Sequence, residues 1–426
     1  MSVLHRPGSA DSAEGRRRTG GAGKHWAAID HSRLGQSRPS RYIPCLTSEI
    51  ADMNETINRR TFIKTTTAAA GLALAAQPRS LFAADAKIPM AFVGCAHIHT
   101  PGFINLLKSR PDVAVRYVWD HQRVRAEDRA SELKAQVVDD LAAIWNDPEI
   151  RGVVICSETN RHPALVRAAA KAGKHMFVEK PLGITAAESL GMAKAIESAG
   201  LLFTTGYFMR TDPKHLFLRS QVQAGAFGKI TRASAWNCHS GSLGGWFDEK
   251  PNDPSNSWRW MADVTQAGVG GFGDLGTHSL DILMWMLGDI ESVSADIRVV
   301  TERYGPKTDE AGQALIKFRN GVMGTLTAGW LDVANPVTLM ISGTEGFASI
   351  VNDKLTFKSS KVANAKGDAP WTDLPAAPRA PLHQFVDALS GKAGQPLVTP
   401  TEAAARVAVM EAMYKSAKAA KWTKVS

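Results

Sequence analysis

Apolar residues in 87–210 fall in short compact runs separated by amphipathic stretches. Runs at 88–94, 113–119, 152–156, 176–178 and 201–206 have the pattern of strands buried on both faces, with 137–138 a shorter extended piece. Between them, 103–108, 126–134, 141–145, 163–172 and 185–199 carry helical periodicity. Strands and helices alternating at this spacing predict βαβ units and a parallel sheet.

Near residue 210 the rhythm changes. A helix over 213–223 and a turn at Gly225-Ala226-Phe227-Gly228 lead into strand-like runs at 230–237, 290–300, 313–319, 322–330, 337–342 and 347–351. Asn320-Gly321, between two of these runs, is a hairpin signal, and 343–346 is a further turn. This half is predicted as a large, mostly antiparallel sheet with few helices. Two late helices, 380–389 and 402–420, are expected to return and pack on the first domain. No internal repeat occurs.

Residues 1–52 are rich in Ser, Gly and Arg without apolar periodicity and read as a disordered extension, with Met53 as the expected start of translation. Residues 53–86 have a charged beginning, an apolar run at 68–76 and small residues at 83–86, the layout of an export signal. Asn58-Arg59-Arg60-Thr61-Phe62-Ile63-Lys64 resembles the twin-arginine signal, which implies the Tat machinery as a partner and a periplasmic or extracellular destination. The run is far shorter than the roughly 20 apolar residues that cross a bilayer, so no membrane span is expected after processing. The expected organisation is 1–52 extension, 53–86 signal, 87–210 first domain and 211–426 second domain.

Composition changes this picture little. With 44% hydrophobic and 21% charged residues the chain is globular in character. The net charge is +9, but residues 1–86 carry twelve Lys/Arg against seven Asp/Glu, and no basic stripe with interleaved aromatics follows, so nucleic acid is not expected as a partner. The four cysteines, Cys45, Cys95, Cys156 and Cys238, have neither zinc spacing nor a disulfide framework. Cys95 and Cys156 end apolar runs and are expected to be small buried residues. No metal site is expected.

Candidate chemistry begins at Val178-Glu179-Lys180-Pro181, where an apolar run ends in an acid, a base and a proline before a helix. Ligands in open α/β sheets bind outside the carboxyl ends of strands. Proline restrains the lysine before it, and the Lys-Pro bond admits a cis form. A solvated turn with an exposed ion pair fits these residues equally well.

The first run ends Val93-Gly94-Cys95-Ala96-His97-Ile98-His99, the spacing of a dinucleotide fingerprint with Ala and His at the later glycine positions. Gly94 permits the tight turn, and small Ala96 lets backbone approach a pyrophosphate at a helix N-terminus. Asp120 ends the next run about 26 residues on, where an acid binds the ribose hydroxyls of NAD. Arg123 and Arg125 stand near enough to keep NADP open. His97 and His99 fit either a catalytic role or none.

The stretch from Gly268 to Asp281 holds Gly270, Gly271 and Gly273, then Asp274 and His278 four residues apart. That spacing puts an acid and an imidazole on one helix face, suited to proton transfer near neutral pH. A helix-capping aspartate with a packed histidine is the competing reading. The glycines are expected to form a flexible run that brings substrate close to backbone, entering a helix over 280–287.

Taken in order, the Gly94 motif, Asp120, Glu179-Lys180-Pro181, Trp258-Arg259 and Gly270-Gly271…Asp274…His278…Asp281 resemble the Gfo/Idh/MocA oxidoreductase family from Lys87 to the end of the chain. The resemblance implies an N-terminal Rossmann domain that binds NAD(P) and a C-terminal α+β domain whose open sheet mediates homo-oligomers. It implies catalytic roles for Lys180, Asp274 and His278, with Trp258 and Arg259 beside them on the substrate. It also implies a cofactor set of Gly94, Ala96, His97, Ile98, His99, Asp120, Ser157, Asn160, His162, Glu179 and Lys180. The sequence departs from many members at Ala96 and His99.

The implied reaction is hydride transfer from a secondary alcohol of a sugar or cyclitol to nicotinamide. His278 takes the hydroxyl proton and Lys180 stabilises the alkoxide. Trp236, Trp246, Trp258 and Trp260, with Asn237, His239 and Arg259 among them, read either as a sugar-stacking wall or as packing. Export would separate the enzyme from the recycled cytoplasmic NAD pool, so a tightly bound cofactor is expected. An NAD-retaining glycosidase working by transient oxidation and elimination, and a non-catalytic sugar-binding protein, are the alternatives.

Overall fold

The computed structural model describes residues 87–425; the expected extension, the export signal and Cys45 lie outside the described residues. Six strands, β1 (Ile88–Val93), β2 (Val113–Trp119), β3 (Gln136–Val137), β4 (Gly152–Ile155), β5 (His175–Val178) and β6 (Phe203–Thr205), form one sheet in the order β3-β2-β1-β4-β5-β6. Every pairing in it is parallel. Helices α1 (Thr100–Lys108), α2 (Arg123–Leu133), α3 (Ala142–Trp145), α4 (His162–Lys171) and α5 (Ala186–Ser198) connect the strands. This is the doubly wound order, whose chain reversal between β1 and β4 opens a crevice at the carboxyl ends of those strands.

After α6 (Pro213–Gln223) come β7 (Ile230–Cys238), the short α7 (Val264–Ala267) and α8 (Gly271–Leu287). Strands β8 (Ile290–Arg298), β9 (Ala311–Phe318), β10 (Met323–Gly329), β11 (Val337–Gly343), β12 (Gly346–Val351), β13 (Lys354–Ser359) and β14 (Lys366–Pro370) follow. Helices α9 (Pro381–Leu389) and α10 (Pro400–Ala419), then β15 (Thr423–Lys424), complete the chain. The second sheet runs β14-β13-β12-β11-β7-β10-β9-β8-β15. It is antiparallel except where β10 lies parallel to β7. Strand β9 alternates cleanly, burying Ala314, Ile316 and Phe318 and exposing Gln313, Leu315 and Lys317.

The Asn320-Gly321 hairpin forms between β9 and β10. Gly321 alone takes the left-handed conformation, at φ +88°, and its N–H donates to the Phe318 carbonyl. The loop is therefore a three-residue turn closed by a glycine bulge. The sequence pattern missed β13, β14 and β15. Strand β13 follows Asn352-Asp353, both left-handed at φ +48° and +62°, a two-residue primed turn without glycine. Strands β14 and β15 are short edge strands with little apolar alternation.

Two late helices join the halves. In α9, Leu382, Phe385, Val386 and Leu389 pack with Phe92 and Phe177 in the core of the first sheet. In α10, Ala403, Ala404 and Val407 join the other core of that sheet, while Val409, Met410, Ala412 and Met413 join the core of the second sheet. A capping box at Thr399 and Glu402 fixes the start of α10. Among the described residues no helix is long and apolar enough to cross a membrane.

Candidate active site

The end of β5 is where the two halves meet. Val178 is fully buried, and Glu179 and Lys180 continue from it into the interior rather than into solvent. The Lys180–Pro181 bond is cis. The Lys180 ammonium donates to Asp274 Oδ1 at 2.8 Å, so the buried charge of each is paired. The Trp330 indole N–H donates to Asp274 Oδ2 at 3.1 Å. Burial alone would raise the Asp274 pKa, but Lys180, followed by His278 and His239, holds it down at about 2.

Asp274 is free for this pairing because another carboxylate caps its helix. Helix α8 begins at Gly271, not at 280 as the apolar pattern predicted. Asp309 accepts the N–H groups of Gly270 at 3.1 Å and Phe272 at 2.9 Å through its side chain, and that of Gly271 at 2.7 Å through its carbonyl. The glycines therefore serve close packing rather than a flexible, substrate-facing run. A Cβ on Gly270 would lie 2.3 Å from the Asp309 carbonyl oxygen, and one on Gly271 would lie 2.8 Å from that of Glu310.

One helical turn beyond Asp274, His278 is buried, and its Nδ1 has no hydrogen-bond partner. Burial and then Lys180 push its pKa well below the ordinary imidazole value, against the pull of Asp274. Its ring packs against Phe208 at 4.8 Å and edge-on to Tyr207 at 6.0 Å. The imidazole is therefore neutral, with one unpartnered nitrogen, and can act as a proton acceptor.

The dinucleotide loop lies beside this group. Gly94 has φ +83°, and a Cβ there would sit 2.5 Å from the Ser157 Cβ and 2.7 Å from its backbone, so only glycine fits. The Ala96 carbonyl accepts the Trp260 indole N–H at 2.8 Å. Ile98 is half-buried, Asn160 is exposed, and His162 is buried with Nδ1 donating to the Leu182 carbonyl at 3.1 Å and Nε2 unpartnered. His99 Nδ1–H donates to Glu179 Oε1 at 2.6 Å, and His97 Nδ1 lies 3.9 Å from the same oxygen. The Glu179 carboxylate, which burial would raise, is held at about 2 by His97, His99 and Lys180.

Asp120 is buried at the end of β2. Its Oδ2 accepts the Cys95 N–H at 2.6 Å, and its Oδ1 accepts the Gln122 N–H at 2.7 Å. Arg125 donates to Asp120 at 2.8 Å and to Glu158 at 2.8 Å, while Arg123 pairs with Glu127 and Asp139. Both arginines that kept NADP open are paired with carboxylates. Cys95 and Cys156 are buried, as their positions predicted.

A cavity of about 310 Å³ opens beside these groups, lined by Gln122, Arg125, Glu158, Lys250, Arg259 and Trp260 among others. Arg259 Nη1 is buried and unpartnered. Arg259 thus lines this cavity together with Arg125 and Glu158. Trp258 lies under the Lys250 ammonium, 4.4 Å from its ring centre. The segment carrying both is anchored to the first domain: Arg129 donates to the Ser255 carbonyl and to Asn256, Ser255 donates to Asp128, and Trp260 donates to Ala96.

The four tryptophans do not form one wall. Trp236 points to the exposed face of the second sheet, and Trp260 is buried against the dinucleotide loop. Trp246 instead stacks on His239 at 4.5 Å. His239 lies within electrostatic reach of Asp274 and Lys180, and burial lowers its pKa. Trp330 was missed in the sequence. It stands at the end of β10, and nothing in its neighbourhood signals a contact with Asp274.

The residues fit a dinucleotide: a glycine whose Cβ would be excluded, an acid at the end of β2, and a cavity lined by Arg125, Glu158 and Arg259. Residues 88–207 match the model of an oxidoreductase family with an NAD-binding Rossmann fold, and residues 215–349 match the GFO/IDH/MocA C-terminal domain. Levoglucosan dehydrogenase of Pseudarthrobacter phenanthrenivorans is 29% identical over 273 residues, covering 59% of this chain and 67% of that protein. The scyllo-inositol 2-dehydrogenase (NAD(+)) of Bacillus subtilis is 28% identical over 270 residues, covering 62% of this chain and 73% of its own. A solved levoglucosan dehydrogenase in complex with NADH and L-sorbose superposes with a TM-score of 0.66 at 22% identity, covering 80% of this chain and 99% of that one.

Proposed function

The chain belongs to the Gfo/Idh/MocA oxidoreductase family, and from that premise we propose that it oxidises a secondary alcohol of a sugar or cyclitol on an NAD that stays bound. The observation that carries this reading is the buried Lys180–Asp274 pair with the neutral, unpartnered His278 one helical turn away. NAD, when bound, supplies the hydride acceptor. His278 Nδ1 accepts the substrate hydroxyl proton. The Lys180 ammonium, aimed by Asp274, stabilises the negative charge that grows on that oxygen. Trp330 fixes the second oxygen of Asp274 and so keeps Lys180 from swinging away.

Relatives named for levoglucosan and scyllo-inositol support a sugar or cyclitol substrate. Trp246 and His239 are our choice for its outer contacts, since His239 lies electrostatically close to Asp274. Cofactor retention is supported by the anchored segment over the 310 Å³ cavity. Export through the Tat machinery to the periplasm or beyond rests on the motif at residues 58–64. Assembly into a homo-oligomer rests on the exposed apolar face of the second sheet, where Leu315, Met323, Met340 and Trp422 surround a groove of about 340 Å³.

Denaturing the purified protein and assaying the supernatant for nucleotide tests the retained cofactor. About one NAD(H) per chain is expected; no nucleotide, and none taken up on addition, overturns the reading. An aryl glycoside assayed in parallel separates simple oxidation from elimination, which would release the aglycone without net NADH.

A further inference from the structure

Three converging side chains of the implied cofactor set take no proton and carry no charge in the hydride-transfer scheme. His97 and His99, two apart on the loop after β1, and Glu179 at the end of β5 bring one nitrogen or oxygen each within 4.8 Å of one another. They come from strands that are not adjacent in the chain, so only the fold assembles them. We propose that His97, His99 and Glu179 form a binding site for a divalent transition-metal ion of the zinc or cobalt type.

The donor set suits such an ion. Two imidazoles and one carboxylate leave further coordination positions open, a common arrangement for Zn²⁺, Co²⁺ and Fe²⁺. Ligand bonds of about 2.1 Å place tetrahedral donors roughly 3.4 Å apart. The spacings from Glu179 Oε1, 2.6 Å to His99 Nδ1 and 3.9 Å to His97 Nδ1, bracket that value. Small side-chain rotations bring all three to it.

The charge balance points the same way. A buried carboxylate needs a cationic partner. The Lys180 ammonium, next in sequence, is committed to Asp274, which leaves Glu179 facing imidazoles.

Seating and access complete the case. Glu179 Oε2 accepts the Lys180 backbone N–H, and a Cβ on Gly206 would come within 2.5 Å of it, so the carboxylate is held by its other oxygen. His99 is 35% exposed and gives the ion a way in and room for an outer ligand. An ion there displaces the His99 proton and replaces the 3.2 Å hydrogen bond from the His99 N–H to His97 Nδ1.

The test uses untagged full-length protein, stripped with a chelator and then dialysed against Zn²⁺ or titrated with Co²⁺. One ion per chain is expected, with the visible ligand-field absorption of cobalt bound by nitrogen and oxygen, and with proton release on binding. His99→Ala, a half-exposed loop position that the fold tolerates, and Glu179→Gln should each drop the stoichiometry from one to zero. His383→Ala, on α9 beside Arg379, should leave it at one. Absence of binding by the wild type, or binding that survives both His99→Ala and Glu179→Gln, overturns the proposal. The readout needs no nucleotide and no turnover, so it fails or stands separately from the proposed oxidoreductase reaction.

Discussion

The Lys180 ammonium lies 2.8 Å from Asp274 Oδ1, joining the last residue before the cis-proline of the first domain to the first turn of helix α8 in the other. Both groups are buried. An ion pair so placed is costly to desolvate and weak evidence for stability. Its retention at the cleft makes sense as chemistry.

This pairing separates function from stability. Lys180→Met strands the Asp274 charge and should lower unfolding free energy by about 3–5 kcal/mol, read by urea denaturation. The double variant Lys180→Met with Asp274→Leu should recover most of that stability, since apolar replacement of a buried pair is often neutral. Neither variant should turn over. Activity in the double variant would remove Lys180 from the mechanism.

The pH profile follows from His278. Its folded pKa is depressed, so it stays an available base below the roughly 6.5 of free imidazole. The acid limb of kcat/KM should therefore fall below pH 6, and His278→Asn should lower kcat by about 10²–10⁴. Stability has its own sign. Unfolding lets His278 and His97 bind protons that the fold excludes, so stability declines as pH drops below about 6.5. Asp274 and Glu179, both depressed to about 2, contribute stability that is present above their ordinary values and lost as pH falls from about 4 toward 2. Thermal melts across pH 2–8 should show both declines; a flat melting temperature from pH 8 to 4 would contradict the neutral, buried histidines.

The anchored segment over the cofactor cavity makes a kinetic prediction. Trp260→Phe removes one hydrogen bond, to Ala96, and Ser255→Ala removes another, to Asp128. At about 0.5–1.5 kcal/mol each, nucleotide release should quicken roughly 2–10-fold per substitution, measured by chasing bound NADH with excess NAD. Unchanged release would place the retaining contacts elsewhere.

The exposed sheet face predicts assembly. Leu315→Glu, or Met323→Lys, places a charge in its apolar groove and should shift the protein to smaller species in light scattering while leaving the fold intact. An unaltered mass would move the interface off this face.

Much of this architecture was legible in the chain. Parallel strands announce themselves as continuous apolar runs, and the loop at Gly94 and the turn at Glu179-Lys180-Pro181 sit where such strands must end. Contacts between distant segments were not legible. Asp309 as the cap of α8, and Trp330 as the partner of Asp274, are set by how β9 and β10 lie against that helix, which no local spacing encodes. The glycines at 270–273 were misread because close packing and flexibility select the same residue. Trp236 stayed between a sugar wall and packing because a strand residue's face depends on a register fixed only by its neighbours.

The most direct measurement mixes the protein as purified with a panel of sugars and cyclitols under single-turnover conditions. It follows the near-ultraviolet band of reduced nicotinamide, then separates protein from solution by gel filtration. The account predicts up to one reduced nicotinamide per chain, eluting with the protein, in the wild type, and the same product forming about 10²–10⁴ times more slowly in His278→Asn. The absence of any nicotinamide signal, with bound or added NAD and every polyol tried, would contradict it.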